Sequence, residues 1–326
     1  MYCLGIDTSC YTTSLAVVND AFELSYEGRI MLDVPGGGRG LRQSDAFFQH
    51  IKNISRLMEK CRNSIDTGSI SGIAVSTKPR SAEGSYMPVF MAGYHTAMTI
   101  SQLLGLPVIE VSHQDSHIEA GVWSSGREMG AEFLAYHISG GTTELLLVNN
   151  CEEMGIKEIG GSSDLKAGQF IDRAGVAMGL RFPCGQEMDK LCNEFETKGI
   201  DIPISIDGSL LSFSGPETHV QRLIKDKELD RRAMAGISRG IFLCIARSIE
   251  KTAINASMKN KVGQLLLVGG VASNRIIRDC LTNSSKLKSS GIEPVFSDAR
   301  YSPDNACGTA VLGMKKLKAP GGINGK

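Results

Sequence analysis

Short apolar runs alternate with segments of helical periodicity along most of the chain. Residues 1–18 are rich in Leu, Ile, Val and Thr and predict two strands joined by a polar turn. Residues 44–61 place Phe47, Ile51 and Ile54 at helical spacing, with Ser44 available as an N-cap. The pattern therefore predicts a hairpin followed by an amphipathic helix.

The hairpin pattern recurs later in the chain. Residues 132–148 predict a second hairpin, with Ser139-Gly140-Gly141 at its turn. In this hairpin Thr142-Thr143 precede the second strand. In the first hairpin Thr12-Thr13 hold the same place, 130 residues earlier. This similarity predicts an internal duplication.

Strands and helices alternate through the rest of the sequence. Helices are predicted over residues 88–105, 164–179 and 231–256, and buried strands over 72–76, 108–111 and 264–268. The last of these strands leads into Gly269-Gly270 and then into a further predicted helix. In a strand, glycine turn and helix arranged in this order, backbone N–H groups can face a phosphate or ribose. The prediction is an α/β protein of two similar halves with a cleft between them.

Composition narrows the class of protein. Among 326 residues, 35 Lys and Arg balance 35 Asp and Glu, so a nucleic-acid substrate would need a local patch or a partner. The nine cysteines are odd in number and form no C-x-x-C pair, which indicates reduced thiols. No apolar run approaches the ~18 residues of a membrane span. We expect a cytoplasmic protein without a membrane segment.

A histidine pair is the first candidate for chemistry. His113 and His117 stand four residues apart, so on a helix both imidazoles project from one face and can share a metal. The residue after the first histidine is Gln114, whereas the zinc-protease motif H-E-x-x-H requires glutamate there. Proteolysis is disfavoured, and two polar residues on a helix face remain the alternative.

Several loops offer polar or flexible groups, each with a simpler structural interpretation. The Ser139–Gly141 turn can cradle phosphate oxygens or serve only as a hairpin turn. Gly269-Gly270 followed by Asn274 is either a nucleotide-contacting loop or a tight connection between a strand and a helix. Asp7 orients a metal or a water, or caps its own turn, and Asp304 is an oxygen ligand or an N-cap. Asp172, on a predicted helix, is either functional or solvated.

The order and spacing of these motifs resemble the TsaD (Gcp, YgjD) family over nearly the whole chain. The resemblance is carried by eight short segments: Ile6-Asp7-Thr8-Ser9-Cys10, the His113/His117 pair, Ile138-Ser139-Gly140-Gly141, Ala167-Gly168 with Asp172, Phe182-Pro183-Cys184-Gly185, Ser212-Phe213-Ser214-Gly215, Leu267-Val268-Gly269-Gly270-Val271-Ala272-Ser273-Asn274-Arg275 and Pro303-Asp304-Asn305. The resemblance implies the duplicated actin-like ATPase fold. It also implies transfer of a threonylcarbamoyl group from threonylcarbamoyl-adenylate to N6 of adenosine 37 of tRNA.

The resemblance also implies a set of site residues. His113, His117 and Asp304 fall on the metal ligands of the family, with iron or zinc as the ion. The positions that hold the adenylate are Ser139, Gly140, Gly141, Asp172, Gly185, Gly269, Gly270 and Asn274. No residue is assigned as catalytic, and Asp7 and Ser9 are the candidates.

The same resemblance sets the expected organisation and partners. We expect a first subdomain over residues 1–112, with 306–326 packing back onto it, and a second over 113–305 carrying the metal and nucleotide sites. Expected partners are TsaB-like and TsaE-like proteins, tRNA, and a second chain in a homo- or heterodimer.

Some positions differ from the family pattern. An acidic pair becomes Tyr11-Thr12, S-G-G-H ends in Thr142, an acid becomes Gln169 and a lysine becomes Glu217; Lys78-Pro79-Arg80-Ser81 replaces G-P-G-L. These differences indicate a divergent paralogue. Two alternatives follow: carbamoylation of a small-molecule acceptor at the same metal and adenylate site, or a non-catalytic nucleotide-binding subunit.

Overall fold

The computed structural model describes residues 1–9, 11–34, 41–151 and 154–319. They form two compact units, one of Met1–Gly126 with the C-terminal residues from Pro303, and one of Arg127–Ser302. Cys10, the glycine tract at 36–38 and the predicted C-terminal residues 320–326 lie outside the described residues. Among those described, no helix has both the length and the apolar character needed to cross a membrane.

The regular elements follow the predicted alternation. The strands are β1 (Tyr2–Asp7), β2 (Thr12–Asn19), β3 (Leu24–Met31), β4 (Ile70–Lys78), β5 (Val108–Ser112), β6 (Glu132–Ile138), β7 (Thr143–Asn149), β8 (Gly155–Ser162), β9 (Ser205–Asp207), β10 (Leu210–Ser212), β11 (Gln264–Val268) and β12 (Glu293–Phe296). The helices are α1 (Gln43–Arg62), α2 (Phe90–Leu104), α3 (His113–Ser125), α4 (Ala167–Ala177), α5 (Gly185–Glu194), α6 (Ser214–Ile224), α7 (Arg231–Asn260), α8 (Arg275–Thr282), α9 (Ser285–Ser289) and α10 (Cys307–Lys318).

Each unit is built on one sheet, and the two sheets share a strand order. The first sheet runs β3-β2-β1-β4-β5, and the second contains β8-β7-β6-β11-β12 in the same sense, extended by β10 and β9. In both, three antiparallel strands adjoin two parallel ones. The two hairpins correspond, with Asp7 paired to Ser14 and Ile138 paired to Thr143. The predicted internal duplication is therefore present in the topology.

The C-terminal end of α2 agrees with the prediction, whereas the N-terminal end of α1 does not. Gly105 ends α2 in the left-handed conformation, at φ 67°, as the Gly-x-Pro sequence predicts. The predicted N-cap of α1 at Ser44 is wrong, because the helix begins at Gln43 and the capping position is Arg42, whose side chain makes no capping hydrogen bond.

The boundary between the units differs from the expected one. Helix α3 belongs to the first unit, which ends at Gly126 rather than at residue 112, and the chain returns to that unit at Pro303 rather than at 306. The reason is the packing of α10 on α3, where the hydroxyls of Ser116 and Thr309 lie 2.7 Å apart. Gly308 makes this approach possible, since a Cβ there would meet the Ser116 carbonyl oxygen. The three predicted metal ligands thus all belong to the first unit, not to the second.

Candidate metal centre and nucleotide cavity

The histidine pair is placed by the way α3 begins. Strand β5 ends at Ser112, whose hydroxyl accepts a hydrogen bond from the Asp115 N–H at 3.1 Å. The Asp115 carboxylate accepts one in return from the Ser112 N–H at 3.2 Å, which completes a capping box. His113 is therefore the first residue of the helix, and His117 lies one turn further along the same face.

Three side chains converge at this point, and they are the predicted metal ligands. Oδ1 of Asp304 lies 3.0 Å from Nε2 of His117 and 3.6 Å from Nε2 of His113. One donor atom from each residue lies within 4.8 Å of the other two. Ligands about 2.1 Å from an ion and 90–110° apart are themselves separated by about 3.0–3.4 Å, and the two distances from Asp304 lie in or close to this range. Two imidazoles and one carboxylate suit zinc or ferrous iron and leave further positions for water or substrate.

Asp304 has the role of a candidate ligand rather than of a helix cap. Helix α10 begins at Cys307, and the Cys307 N–H donates to Oδ1 of Asn305 at 2.9 Å. The neighbouring Asn305 therefore satisfies the start of the helix and leaves the Asp304 carboxylate facing the histidines. The packing of α10 on α3 brings the two parts of the set together.

Behind His113 lies the first of the two catalytic candidates. Oδ2 of Asp7, at the end of β1, lies 2.9 Å from Nδ1 of His113. Burial opposes the charge of both groups, yet their mutual attraction prevails: it lowers the pKa of Asp7 and, together with Asp304, raises the pKa of His113 to about 9. The carboxylate keeps a proton on Nδ1, and a metal that replaces the second proton of this imidazolium would bind at Nε2.

The second catalytic candidate, Ser9, supports Asp7. Its N–H donates to Oδ1 of Asp7 at 2.7 Å, and its hydroxyl donates to the same oxygen. Both residues are fully buried. Their position is that of a support for the His113 ring, so we assign neither of them as a nucleophile.

The second unit contains a cavity of about 540 Å³ where β6, α4, α5 and the turn after β11 meet. Five of the eight predicted nucleotide-binding residues line it: Gly140, Asp172, Gly185, Gly270 and Asn274. The structure therefore brings together segments that are far apart in the sequence.

The other three predicted residues serve the turns themselves. The Ser139 hydroxyl accepts hydrogen bonds from the N–H groups of Gly141 and Thr142, which closes the β6–β7 turn. Gly269 has φ 96°, and a Cβ there would meet the carbonyl oxygen of Ile138. Ser139, Gly141 and Gly269 do not line the cavity, but they hold the turns that do.

The lining of this cavity has features that a ligand would satisfy. A Cβ at Gly140 or at Gly270 would meet no atom within 4 Å, and neither glycine has positive φ. No described protein neighbour requires glycine at these positions, and an added side chain would enter the cavity instead. The buried Ser273 hydroxyl, which also lines the cavity, has no hydrogen-bond partner among the described residues. A nucleotide with many polar atoms fits such a lining.

One lining residue was missed by the sequence motifs. Asp189 accepts a hydrogen bond from Nδ2 of Asn274 at 3.0 Å, and burial raises the pKa of its carboxyl group. Oδ1 of Asn274 caps α8 at Ile277 N–H, so the side chain is held at both ends. Asp189 follows Gly185 by four residues on α5, and this helical spacing was the available signal.

Comparison with known proteins shows which family this chain resembles. A model of the family described as TsaD, tRNA N6-adenosine threonylcarbamoyltransferase, matches residues 39–311. A tRNA N6-adenosine threonylcarbamoyltransferase of Geobacillus kaustophilus is 31% identical over 324 residues, covering 96% of this chain and 91% of that protein. A probable bifunctional tRNA threonylcarbamoyladenosine biosynthesis protein of Thermoplasma acidophilum is 30% identical over 323 residues. This match covers 98% of this chain and 57% of the length of that protein.

Solved structures show the same fold at lower identity. Component A of the (R)-2-hydroxyglutaryl-CoA dehydratase of Acidaminococcus fermentans gives a TM-score of 0.54 at 16% identity, covering 98% of this chain and all of that one. Full-length HypF in its phosphate- and nucleotide-bound form gives 0.58 at 15% identity, covering 98% of this chain and 47% of that one. These similarities confirm the predicted actin-like ATPase fold. From the sequence match over most of its length, the chain belongs to the TsaD family of tRNA threonylcarbamoyltransferases, enzymes that are transferases rather than proteases.

Proposed function

We propose that this protein transfers a threonylcarbamoyl group from threonylcarbamoyl-adenylate to N6 of an adenosine in tRNA. Family membership supports the reaction class, and the observation that carries the proposal is the convergence of His113, His117 and Asp304. In the reaction, N6 attacks the carbonyl carbon of the mixed anhydride. A carbon–nitrogen bond forms, the carbon–oxygen bond to phosphate breaks, AMP leaves with the electron pair, and N6 loses one proton.

The residues of the chain divide the task. His113, His117 and Asp304 would hold a divalent ion, with iron or zinc as the candidates from the donor set. When bound, such an ion supplies Lewis-acid chemistry, which polarises a carbonyl or stabilises charge on a phosphoryl oxygen. Asp7 holds the ring of His113 in orientation. In the second unit, Gly140 and Gly270 let a nucleotide approach the backbone, and Asn274 and Asp189 offer polar groups to its sugar.

The donor substrate is already activated, so positioning is the main demand on the protein. A mixed carbamic–phosphoric anhydride needs no further input of energy, and holding two reactants in place supplies much of the rate. Because the chain has no net charge, we propose that tRNA capture depends on partner subunits of the TsaB and TsaE type.

The test is mass-spectrometric detection of threonylcarbamoyladenosine in tRNA. Metal-loaded protein is incubated with threonylcarbamoyl-adenylate, tRNA and TsaB-like and TsaE-like partners. We expect product with the natural chain, none with the H113A/H117A double variant, and full product with His95→Ala, an exposed histidine on α2. Absence of product from protein shown to hold metal and adenylate would overturn the proposal, and would favour a small-molecule acceptor or a regulatory subunit.

A further inference from the structure

A second cavity adjoins the nucleotide cavity in the same unit. Its volume is about 710 Å³, within the range of small-molecule sites. Gly140 and Asp172 line both cavities, and the other lining residues come from α4, α6 and the segment before α5. None of the other predicted nucleotide residues lines it. A group bound in this second cavity would therefore lie beside a nucleotide bound in the first.

Part of the lining of the second cavity is apolar and exposed. Phe182 is 74% accessible to solvent and Val176 is 54% accessible. Ala177 is the third apolar side chain of the lining. An exposed aromatic ring at the edge of a cavity is a platform on which a flat ring can stack, and each nucleobase presents such a face.

The polar residues of the lining carry more acid than base. They include two carboxylates, those of Asp172 and Glu217, and one guanidinium, that of Arg173, which leaves one net negative charge. Gln169 and Gln221 add two amides, and Nε2 of Gln221 donates to Oε1 of Glu217 at 3.1 Å. This charge disfavours a phosphate or a carboxylate inside the cavity and favours a neutral ring with N–H donors there.

Asp172 lies where the two cavities meet. Its Oδ1 accepts a hydrogen bond from the Cys184 N–H at 2.8 Å, which fixes the side chain. Its other oxygen has no hydrogen-bond partner among the described residues. This oxygen can accept a hydrogen bond from an amine that enters from the second cavity.

We propose that the second cavity binds the acceptor base, an adenine presented by a single-stranded RNA loop. The ring stacks on Phe182, and its exocyclic amine donates to Asp172 at the border with the nucleotide cavity. Single-stranded loops expose bases in the way this requires, and enzymes that act on a base read it by stacking and by hydrogen bonds to its edge. The inference rests on the proposed function, because it takes adenosine to be the acceptor.

The experiment distinguishes an effect on binding of the acceptor tRNA from an effect on binding of the donor adenylate. Steady-state transfer is measured with the complete set of partners, varying tRNA at saturating adenylate and then the reverse. We expect Phe182→Ala to raise the KM for tRNA by about 5- to 140-fold, which corresponds to about 1–3 kcal/mol of stacking free energy. The KM for the adenylate should not change. Phe182→Tyr should restore tRNA affinity. Tyr86→Ala, which removes another exposed aromatic residue, in the first unit, should have no effect.

A binding measurement keeps the inference testable without turnover. An anticodon stem–loop with 2-aminopurine at the acceptor position is titrated with the protein and its partners in the presence of saturating AMP. Fluorescence quenching that Phe182→Ala abolishes would support the base cavity even if the natural chain forms no product, and only the proposed transfer would then fail. Product formation with an unchanged KM for tRNA in Phe182→Ala would overturn the inference, as would the absence of Phe182-dependent quenching.

Discussion

The strongest single prediction concerns Asp7, which contacts His113 but not the candidate metal position. In Asp7→Asn, the amide retains the size of the side chain and loses its charge. If its NH₂ group turns toward His113, the histidine must accept at Nδ1 and carry its proton on Nε2, the atom that a metal requires. Loss of such a supporting carboxylate lowers metal affinity about 10- to 100-fold, which is about 1.4–2.7 kcal/mol.

The assay is calorimetric titration of metal-free protein with Zn²⁺ or Fe²⁺ under matched buffer conditions. Asp45→Asn, which removes an exposed acid from the first turn of α1, is the control and should bind metal like the natural chain. Thermal denaturation of the metal-free variants shows whether each is folded. An unchanged dissociation constant in folded Asp7→Asn would refute the view that Asp7 orients His113.

Three further predictions follow from the packing and the charges. Gly308→Ala should destabilise the first unit by about 1–3 kcal/mol and weaken metal binding, because the added Cβ meets the Ser116 carbonyl oxygen and separates α10 from α3. Denaturation and metal titration test this prediction. The control is Gly236→Ala, whose Cβ meets nothing within 4 Å. Gly270→Ala should weaken adenine-nucleotide binding in an equilibrium titration without lowering the unfolding midpoint, since the added methyl enters the cavity; loss of stability instead would contradict this. Burial opposes the charge of Asp164, but hydrogen bonds from Ser212, Phe213 and Leu165 lower its pKa to about 2. The charged carboxylate therefore stabilises the fold fully above about pH 4, and this contribution is lost as the pH falls toward 2. Asp164→Asn should therefore lower the free energy of unfolding by about 1 kcal/mol at pH 7, a value reduced for solvent screening, and by almost nothing near pH 2. Chemical denaturation at both pH values measures this difference. An equal loss of stability at both pH values would contradict the prediction.

The sequence by itself determined most of the local structure. Apolar alternation fixed the hairpins at β1–β2 and β6–β7, because burial of one face depends on the two-residue repeat of a strand. Ser112 followed by Asp115 set the start of α3, and the four-residue spacing then put His113 and His117 on one face. The third strand of each sheet was not predicted, since the pattern of β3 and β8 is only partly apolar.

What only the tertiary structure decided is which distant residues meet. Asp7 and His113 are separated by 106 positions and His117 and Asp304 by 187, and no local pattern encodes either pairing. The first depends on the order of parallel strands β1, β4 and β5, and the second on the close approach of α10 to α3 at Gly308. For the same reason the sequence placed α3 in the wrong unit and missed Asp189: the motifs identify residues, whereas long-range packing determines their neighbours.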